Sequence, residues 1–454
     1  MKILFISLGC DKNRVESEYM LGLLSEHDFE FTDDETEAEA AVVNTCCFIN
    51  DAKQESIDTI LELAERKKIG QLKALVVCGC LAQRYQKEIR EEIPEVDAII
   101  GTTAFDKIFE ALKEALSSSS RDYFESIDRP AVTYKKRLLT TGTGFAYLKI
   151  AEGCNKNCTY CIIPKVRGHY RSVDMDILLK EAAKLAETGV KELILVAQET
   201  TLYGTDLYGR KMLPELLRNL CAIDGIEWIR IMYCYPEEID DELIAVMKAE
   251  PKICHYLDLP VQSGSDRILK KMGRRTNNAQ IRELVDKLRK AMPDICLRTT
   301  LISGFPGETP EDSRQTMELV RDLKFDRLGV FTYSAEEGTV AADMPDQVSE
   351  RAAVLRRNKI MAAQQQYAFE SAGNMVGRTV RAMIEGRVGD DDPKLDDQGR
   401  PLYTYIARTY RDAPDIDGFL FVENVPYDLM SGRFVNVKIT GSDEYDLVGC
   451  LEED

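Results

Sequence analysis

Apolar and polar residues fall into three successive regimes along the chain. In the first, short β-rich runs at Ile3–Ser7, Ala40–Val43 and Ala74–Val77 are separated by segments of helical period such as Glu55–Glu65, and Ala104–Ala115 follows the third run. This alternation predicts a parallel α/β domain over residues 1–116. The polar, turn-rich stretch 117–144, which opens with four serines and ends Thr140-Thr141-Gly142-Thr143-Gly144, reads as an interdomain linker.

The second regime, residues 145–374, repeats a strand followed by a helix six times. The strand candidates are Ala146–Ile150, Glu192–Val196, Trp228–Met232, Tyr256–Leu259, Leu297–Ile302 and Arg327–Phe331. Six βα units predict an open, partial barrel with its chemistry at the carboxyl ends of the strands. A long helical pattern, Glu350–Glu370, closes this domain and is expected to stop near Gly373-Asn374, residue types that tolerate a left-handed cap. Residues 375–454 lose the helical period. Alternating runs at Val380–Ile384, Leu402–Ala407, Gly418–Val422 and Phe434–Ile439, with turns at Asp396–Gly399 and Ser431-Gly432, predict a small antiparallel β-barrel.

Composition narrows the chemistry. The apolar run after Met1 is too short to span a membrane, and no cleavage site or later stop-transfer stretch follows, so the chain reads as cytoplasmic with no membrane partner. Thirteen cysteines without a secretory signal point to metal binding or thiol chemistry rather than a disulfide framework, and with only three histidines they favour iron–sulfur or all-cysteine zinc. A net charge of −19 disfavours nonspecific attraction to nucleic acid and suits a basic protein partner.

Two groups of cysteines carry the chemistry. Cys154, Cys158 and Cys161 lie at Cys-x-x-x-Cys-x-x-Cys spacing just after the first barrel strand, where they can hold three corners of a cubane and leave one iron open. Zinc is the competing reading, but a structural zinc site takes four protein ligands in paired spacing, and the next cysteine is Cys221. Cys10, Cys46 and Cys80 are far apart in sequence, yet each follows one of the three amino-terminal parallel strands. The carboxyl ends of such strands share one sheet edge, so the three loops can present thiols to one point. Cys47 and Cys78 suit packing better, as do Cys221, Cys234, Cys254, Cys296 and Cys450. Arg167-Gly168-His169-Tyr170-Arg171 is either a receiver for a substrate carboxylate or a solvated basic turn.

The Cys154–Cys161 motif and the six βα units resemble the radical S-adenosylmethionine superfamily, and the whole chain resembles its methylthiotransferases. These have three separated cluster cysteines in an amino-terminal domain, a radical core and a terminal barrel of the TRAM type. The resemblance implies two [4Fe–4S] clusters, S-adenosylmethionine, an electron donor such as flavodoxin or ferredoxin, and a sulfur donor. It makes Tyr160, Gln198, Glu199, Ile302 and Gly304 the candidate cofactor contacts.

Ser7–Asn13 and Arg408–Gly418 resemble the branch that modifies the β-carbon of an aspartate in ribosomal protein S-twelve. The Leu259–Asp266 segment, with Ser263 after Gln262, looks more like the branch that modifies tRNA adenosine, the close alternative. Residues 375–454 hold nine Lys and Arg against seventeen Asp and Glu, 9 − 17 = −8, a charge that should repel a tRNA backbone and attract a basic ribosomal protein. The C–H bond beside an aspartate carboxylate is too weakly acidic for an ordinary side-chain base. The resemblance supplies the alternative, hydrogen-atom abstraction by a deoxyadenosyl radical followed by sulfur transfer. An iron–sulfur electron carrier or scaffold that docks basic proteins is the reading from another class; it entails reducible clusters without cofactor cleavage.

Overall fold

Val42, Val43, Val76 and Val77 are fully buried because alternate residues of a parallel strand face opposite layers, and helices cover both. In this computed structural model, which describes residues 1–117, 120–131, 136–142, 144–389 and 394–452, these valines lie in a five-stranded parallel sheet. Its order is Glu30–Thr32, Lys2–Ser7, Ala40–Thr45, Ala74–Gly79, Ala98–Ile100. The three expected strands form its centre. The two edge strands, three residues each, are too short to leave a period in the sequence.

The central sheet places Phe145–Lys149, Glu192–Val196, Trp228–Ile231, Ile253–Asp258, Cys296–Ser303 and Arg327–Thr332 side by side in chain order, all parallel. Among the described residues the first and last strands do not pair, so the barrel stays open. One face carries the main core beneath the helices. The other, with Tyr147, Ile194, Trp228, Tyr256 and Cys296, packs in one cluster with Val15 and Tyr19 of the amino-terminal domain and Ala413 of the carboxyl-terminal barrel.

The long helix runs Glu350–Gly373, but Asn374 remains right-handed at φ −69°. The left-handed residue is Gly377, at φ +83°, whose N–H donates to Ile439 O; the chain reverses only where it meets the barrel. That barrel closes through Thr379–Arg387, Phe434–Asp443, Asp446–Leu451, Leu420–Val425 and Pro401–Thr409, the last pairing back to the first. The expected small antiparallel barrel is present, with one parallel pair, Leu420–Val425 beside Asp446–Leu451. In a closed ring of five strands, alternating directions must break once.

Linker residues 118–119, 132–135 and 143 lie outside the described residues. The segment 136–142 is docked rather than free. Arg137 pairs with Glu18 of helix Asp11–Leu24 and Glu181 of helix Met175–Glu187, at 2.6 and 2.9 Å, while Leu138 N–H donates to Glu18 O. No helix among the described residues is long and apolar enough to cross a membrane.

Candidate cluster and cofactor site

The carboxyl ends of the two parallel sheets meet. Tyr233, just beyond strand Trp228–Ile231, donates its hydroxyl to Asp11 at 2.8 Å, and Lys149 at the end of the first barrel strand reaches Glu16 at 2.8 Å. Asp11 and Glu16 lie on the helix whose N-cap is Cys10.

Three loops gather the first thiol set. Cys46 follows strand Ala40–Thr45, and Cys80 opens helix Cys80–Arg84 after strand Ala74–Gly79. Gly9, at φ +90°, lets its loop approach so closely that a Cβ there would stand 2.6 Å from Cys46 Cβ and 2.9 Å from its Sγ. Asn13 Nδ2 ties the first two loops together by donating to Leu8 O and Thr45 O, each at 3.0 Å. Burial raises the Cys46 and Cys80 thiols above their ordinary range, while the Arg167 guanidinium opposes. Cys78 packs in the apolar cluster beneath the amino-terminal sheet, and Cys47 shares the other apolar cluster with Cys80.

The second set sits in the loop after the first barrel strand. Cys154 N–H donates to Gly168 O at 3.2 Å, Cys161 N–H to Cys158 O at 3.0 Å, and Thr159 N–H to Met272 O at 3.0 Å, fixing the loop by its backbone. The Lys156 amide donates to Cys154 Sγ at 3.5 Å, and Tyr235 Oη lies 3.5 Å from Cys158 Sγ. Burial lifts the Cys154 thiol to about 11 and raises that of Cys161.

Among the described residues no three His, Cys, Asp or Glu side chains are gathered as ligands of one bare ion, so neither set is a preformed single-zinc site. N–H donors aimed at sulfur from the Arg167 guanidinium and the Lys156 backbone amide fit charged sulfur ligands, and burial means that metal binding must displace protons from these thiols. The residues present fit the two clusters.

The candidate cofactor contacts divide. Gln198 and Glu199 stand past the end of strand Glu192–Val196, and each has a buried oxygen, Oε1 and Oε2 respectively, without a hydrogen-bond partner. Gln198 Oε1, and Glu199 Oε2 with only the Lys156 ammonium 4.0 Å away, fit a ligand that brings donors. Gln198 Nε2 donates to Glu152 Oε1 at 2.6 Å. Burial raises the Glu199 carboxyl to about 7, against the opposing pull of Thr201 and Lys156.

Tyr160 meets Phe305 edge-on at 6.5 Å and shares a small apolar cluster with Ile302. Gly304 makes its close approach to protein: a Cβ there would lie 2.3 Å from Ala353 Cβ on the long helix. Its permissive backbone is therefore used for packing.

Lys156 and Arg274 leave no sequence signal because tertiary partners bury them. Lys156 is held by Glu238 and by Glu237 at 3.5 Å, and its ammonium stands 4.8 Å from the Tyr235 ring centroid; Arg274 covers the same ring at 4.1 Å. Gln262 adopts a left-handed backbone at φ +71° with its buried Oε1 unpartnered. A strand end followed by Pro-Val-Gln could have marked it. Ser263 turns away, its hydroxyl 3.3 Å from that of Thr316 and accepting from Ser265 N–H at 3.1 Å. Its difference from the ribosomal-protein branch therefore falls on loop packing.

The expected basic turn is also split. His169 is exposed, with Nδ1 3.0 Å from Asp128, whereas Arg167 is buried and pairs with Glu16 and Cys80. It is neither a solvated charge nor an open receiver for a carboxylate, because Glu16, Glu152 and Asn13 already occupy its donors. Burial works against ionising Glu152, but Lys149 and Arg167 hold its carboxyl well below the usual range.

Comparison with known proteins agrees with this arrangement. Residues 148–320 match the radical SAM superfamily, 376–451 the TRAM domain, and 2–101 a family described only as uncharacterized. The ribosomal protein uS12 methylthiotransferase RimO of Lachnoclostridium phytofermentans is 59% identical over 452 residues, covering 100% of both chains. That of Acetivibrio thermocellus is 48% identical, covering 99% of this chain and 98% of its own. Among solved structures, the cobalamin-dependent S-adenosylmethionine radical enzyme OxsB shares the fold, with a TM-score of 0.50 and 11% identity over 75% of this chain and 54% of that one. The chain belongs to the RimO family of methylthiotransferases within the radical S-adenosylmethionine superfamily.

Proposed function

We propose that this enzyme adds a methylthio group to the β-carbon of an aspartate in ribosomal protein uS12, the S-twelve protein of the small subunit. The observation that supports this reading most is the meeting of the carboxyl ends of two parallel sheets, where Cys80 of one is linked through the buried contacts of Arg167 and Glu152 to Gln198 of the other. Cys154, Cys158 and Cys161 would hold one cluster and Cys10, Cys46 and Cys80 the other.

When bound, the clusters and S-adenosylmethionine supply the electron, the radical and the methyl group, chemistry beyond any protein side chain. The chain's own residues position and shield. Gln198 and Glu199 offer buried acceptors to the cofactor's donors, and Tyr160 and Ile302 offer an apolar wall. Burial of Cys46, Cys80, Cys154 and Cys158 keeps water from the sulfurs. An electron donor of the flavodoxin or ferredoxin type and a separate sulfur donor complete the proposal. The charge of −8 on residues 375–454 favours a basic protein over tRNA as the partner.

Incubation of uS12 with the reconstituted enzyme, reductant, sulfide and S-adenosylmethionine is expected to add one methylthio group to one aspartate, read by peptide mass spectrometry. An unmodified uS12, with the mass gain appearing on a tRNA adenosine instead, would contradict the substrate.

A further inference from the structure

Arg167 ends helix Ile163–Arg167, directly after the loop of Cys154, Cys158 and Cys161, yet its guanidinium crosses to the other thiol set. Nε and Nη2 donate to Cys80 Sγ at 3.3 and 3.2 Å, and Nη2 also donates to Asn13 Oδ1 at 2.6 Å. Nη1 pairs with Glu16 and lies 3.4 Å from Glu152. Lys149 shares both carboxylates at 2.8 Å each, so two buried cations balance two buried anions and the guanidinium can turn one edge to the sulfur. Only 2% of Arg167 is exposed. Two N–H donors from one rigid plane on one sulfur are an arrangement that an ammonium cannot reproduce.

Hydrogen bonds to ligand sulfur and local positive charge raise the reduction potential of an iron–sulfur cluster, because the reduced form carries one more negative charge. We infer that Arg167 is a positioning residue that sets the potential of the cluster on Cys10, Cys46 and Cys80. Since it grows from the loop that carries the other three thiols, it also ties the two sets to a common geometry. This rests on the ligand assignment proposed above.

The test is a redox titration followed by electron paramagnetic resonance on the full chain, reconstituted anaerobically, with Cys154, Cys158 and Cys161 replaced by alanine so that one cluster gives the signal. Each cluster takes one electron from the dithionite titrant. Arg167→Met is expected to lower the ratio of reduced to oxidised cluster at least about tenfold at a fixed potential, a shift of about 59 mV to more negative values. Arg167→Lys, which keeps the charge without the fork, is expected to fall between that variant and the parent.

Unchanged potentials in both variants at unchanged iron content would overturn the inference. So would loss of iron from Arg167→Met together with a parental potential in Arg167→Lys, which would mark a merely structural role. If the parent with three alanines binds no iron, the ligand assignment itself has failed, and iron analysis separates that outcome from the others.

Discussion

Cys158→Ala is expected to abolish formation of deoxyadenosine from S-adenosylmethionine, whereas Cys46→Ala retains measurable cleavage although it transfers no methylthio group. The difference follows from which loop each thiol serves. Cys158 lies beside Tyr235 in the loop packed against Met272, next to the Tyr160–Phe305 pair and Ile302. Cys46 lies across the domain boundary, against Gly9 and hydrogen-bonded through its backbone to Ser56. Chromatographic assay of deoxyadenosine under excess dithionite separates the two. Equal loss in both variants would mean that the sets do not divide the reaction between them.

The second large effect concerns the joint between barrel and core. Glu192, at the start of the second central strand, accepts from Arg230 Nε and from Arg408 Nη2, each at 2.7 Å, and all three side chains are fully buried. Arg408 belongs to the terminal barrel and also pairs with Glu385, while Arg230 Nη1 donates to Tyr410 O at 2.7 Å. Glu192→Gln leaves two guanidiniums buried with their shared counter-charge removed, a change expected to cost about 3–5 kcal/mol in urea unfolding.

Burial opposes ionisation of Glu192, but the charges of Arg230 and Arg408 prevail and lower its pKa. The stabilisation it gives is therefore present above the ordinary carboxylate range and is lost as pH falls below that range. Glu192→Gln should flatten this acid limb. A stability within roughly 0.5 kcal/mol of the parent, the spread of ordinary surface substitutions, would contradict the role. The same joint makes truncation of residues 375–454 a poor probe of substrate capture, since it would also remove Arg408 and the Phe434 ring that meets Trp228 edge-on at 4.7 Å.

The motif Arg408–Gly418, read in the sequence as a marker of one branch, proves to be this joint. Arg327 pairs with Asp412, Tyr256 donates to Asp417 at 2.7 Å, and Arg411 pairs with Asp326 at 2.6 Å.

What the sequence could disclose depended on where the determining contacts lie. The six central strands were legible because each is a short apolar run bounded by its own helix, a property local to the segment. That the loops of Cys10, Cys46 and Cys80 share one sheet edge was legible because parallel strands share a carboxyl edge, so topology alone brings those loops together. Strand Asp446–Leu451 was not, since its Asp, Gly and Cys interrupt the alternation and its place is fixed by partners on either side, Phe434–Asp443 and Leu420–Val425.

Nor was it legible that Lys149, Lys156 and Arg167 are buried, although the basic turn that holds Arg167 was visible. A buried cation is defined by carboxylates that fold brings from elsewhere, here Glu16 more than a hundred positions away from Lys149 and Arg167, and such pairing leaves no spacing to read. Gly304 shows the converse: the glycine was visible, but whether a ligand or a helix fills the space beside it is decided by Ala353.

Iron and sulfide analysis with Mössbauer spectroscopy on the anaerobically reconstituted chain bears most directly on the two-site reading. The parent should hold two cubane clusters, and each variant with one thiol set replaced by alanine should hold one. A parent that holds a single cluster, or a triple-alanine variant that keeps both, would contradict it.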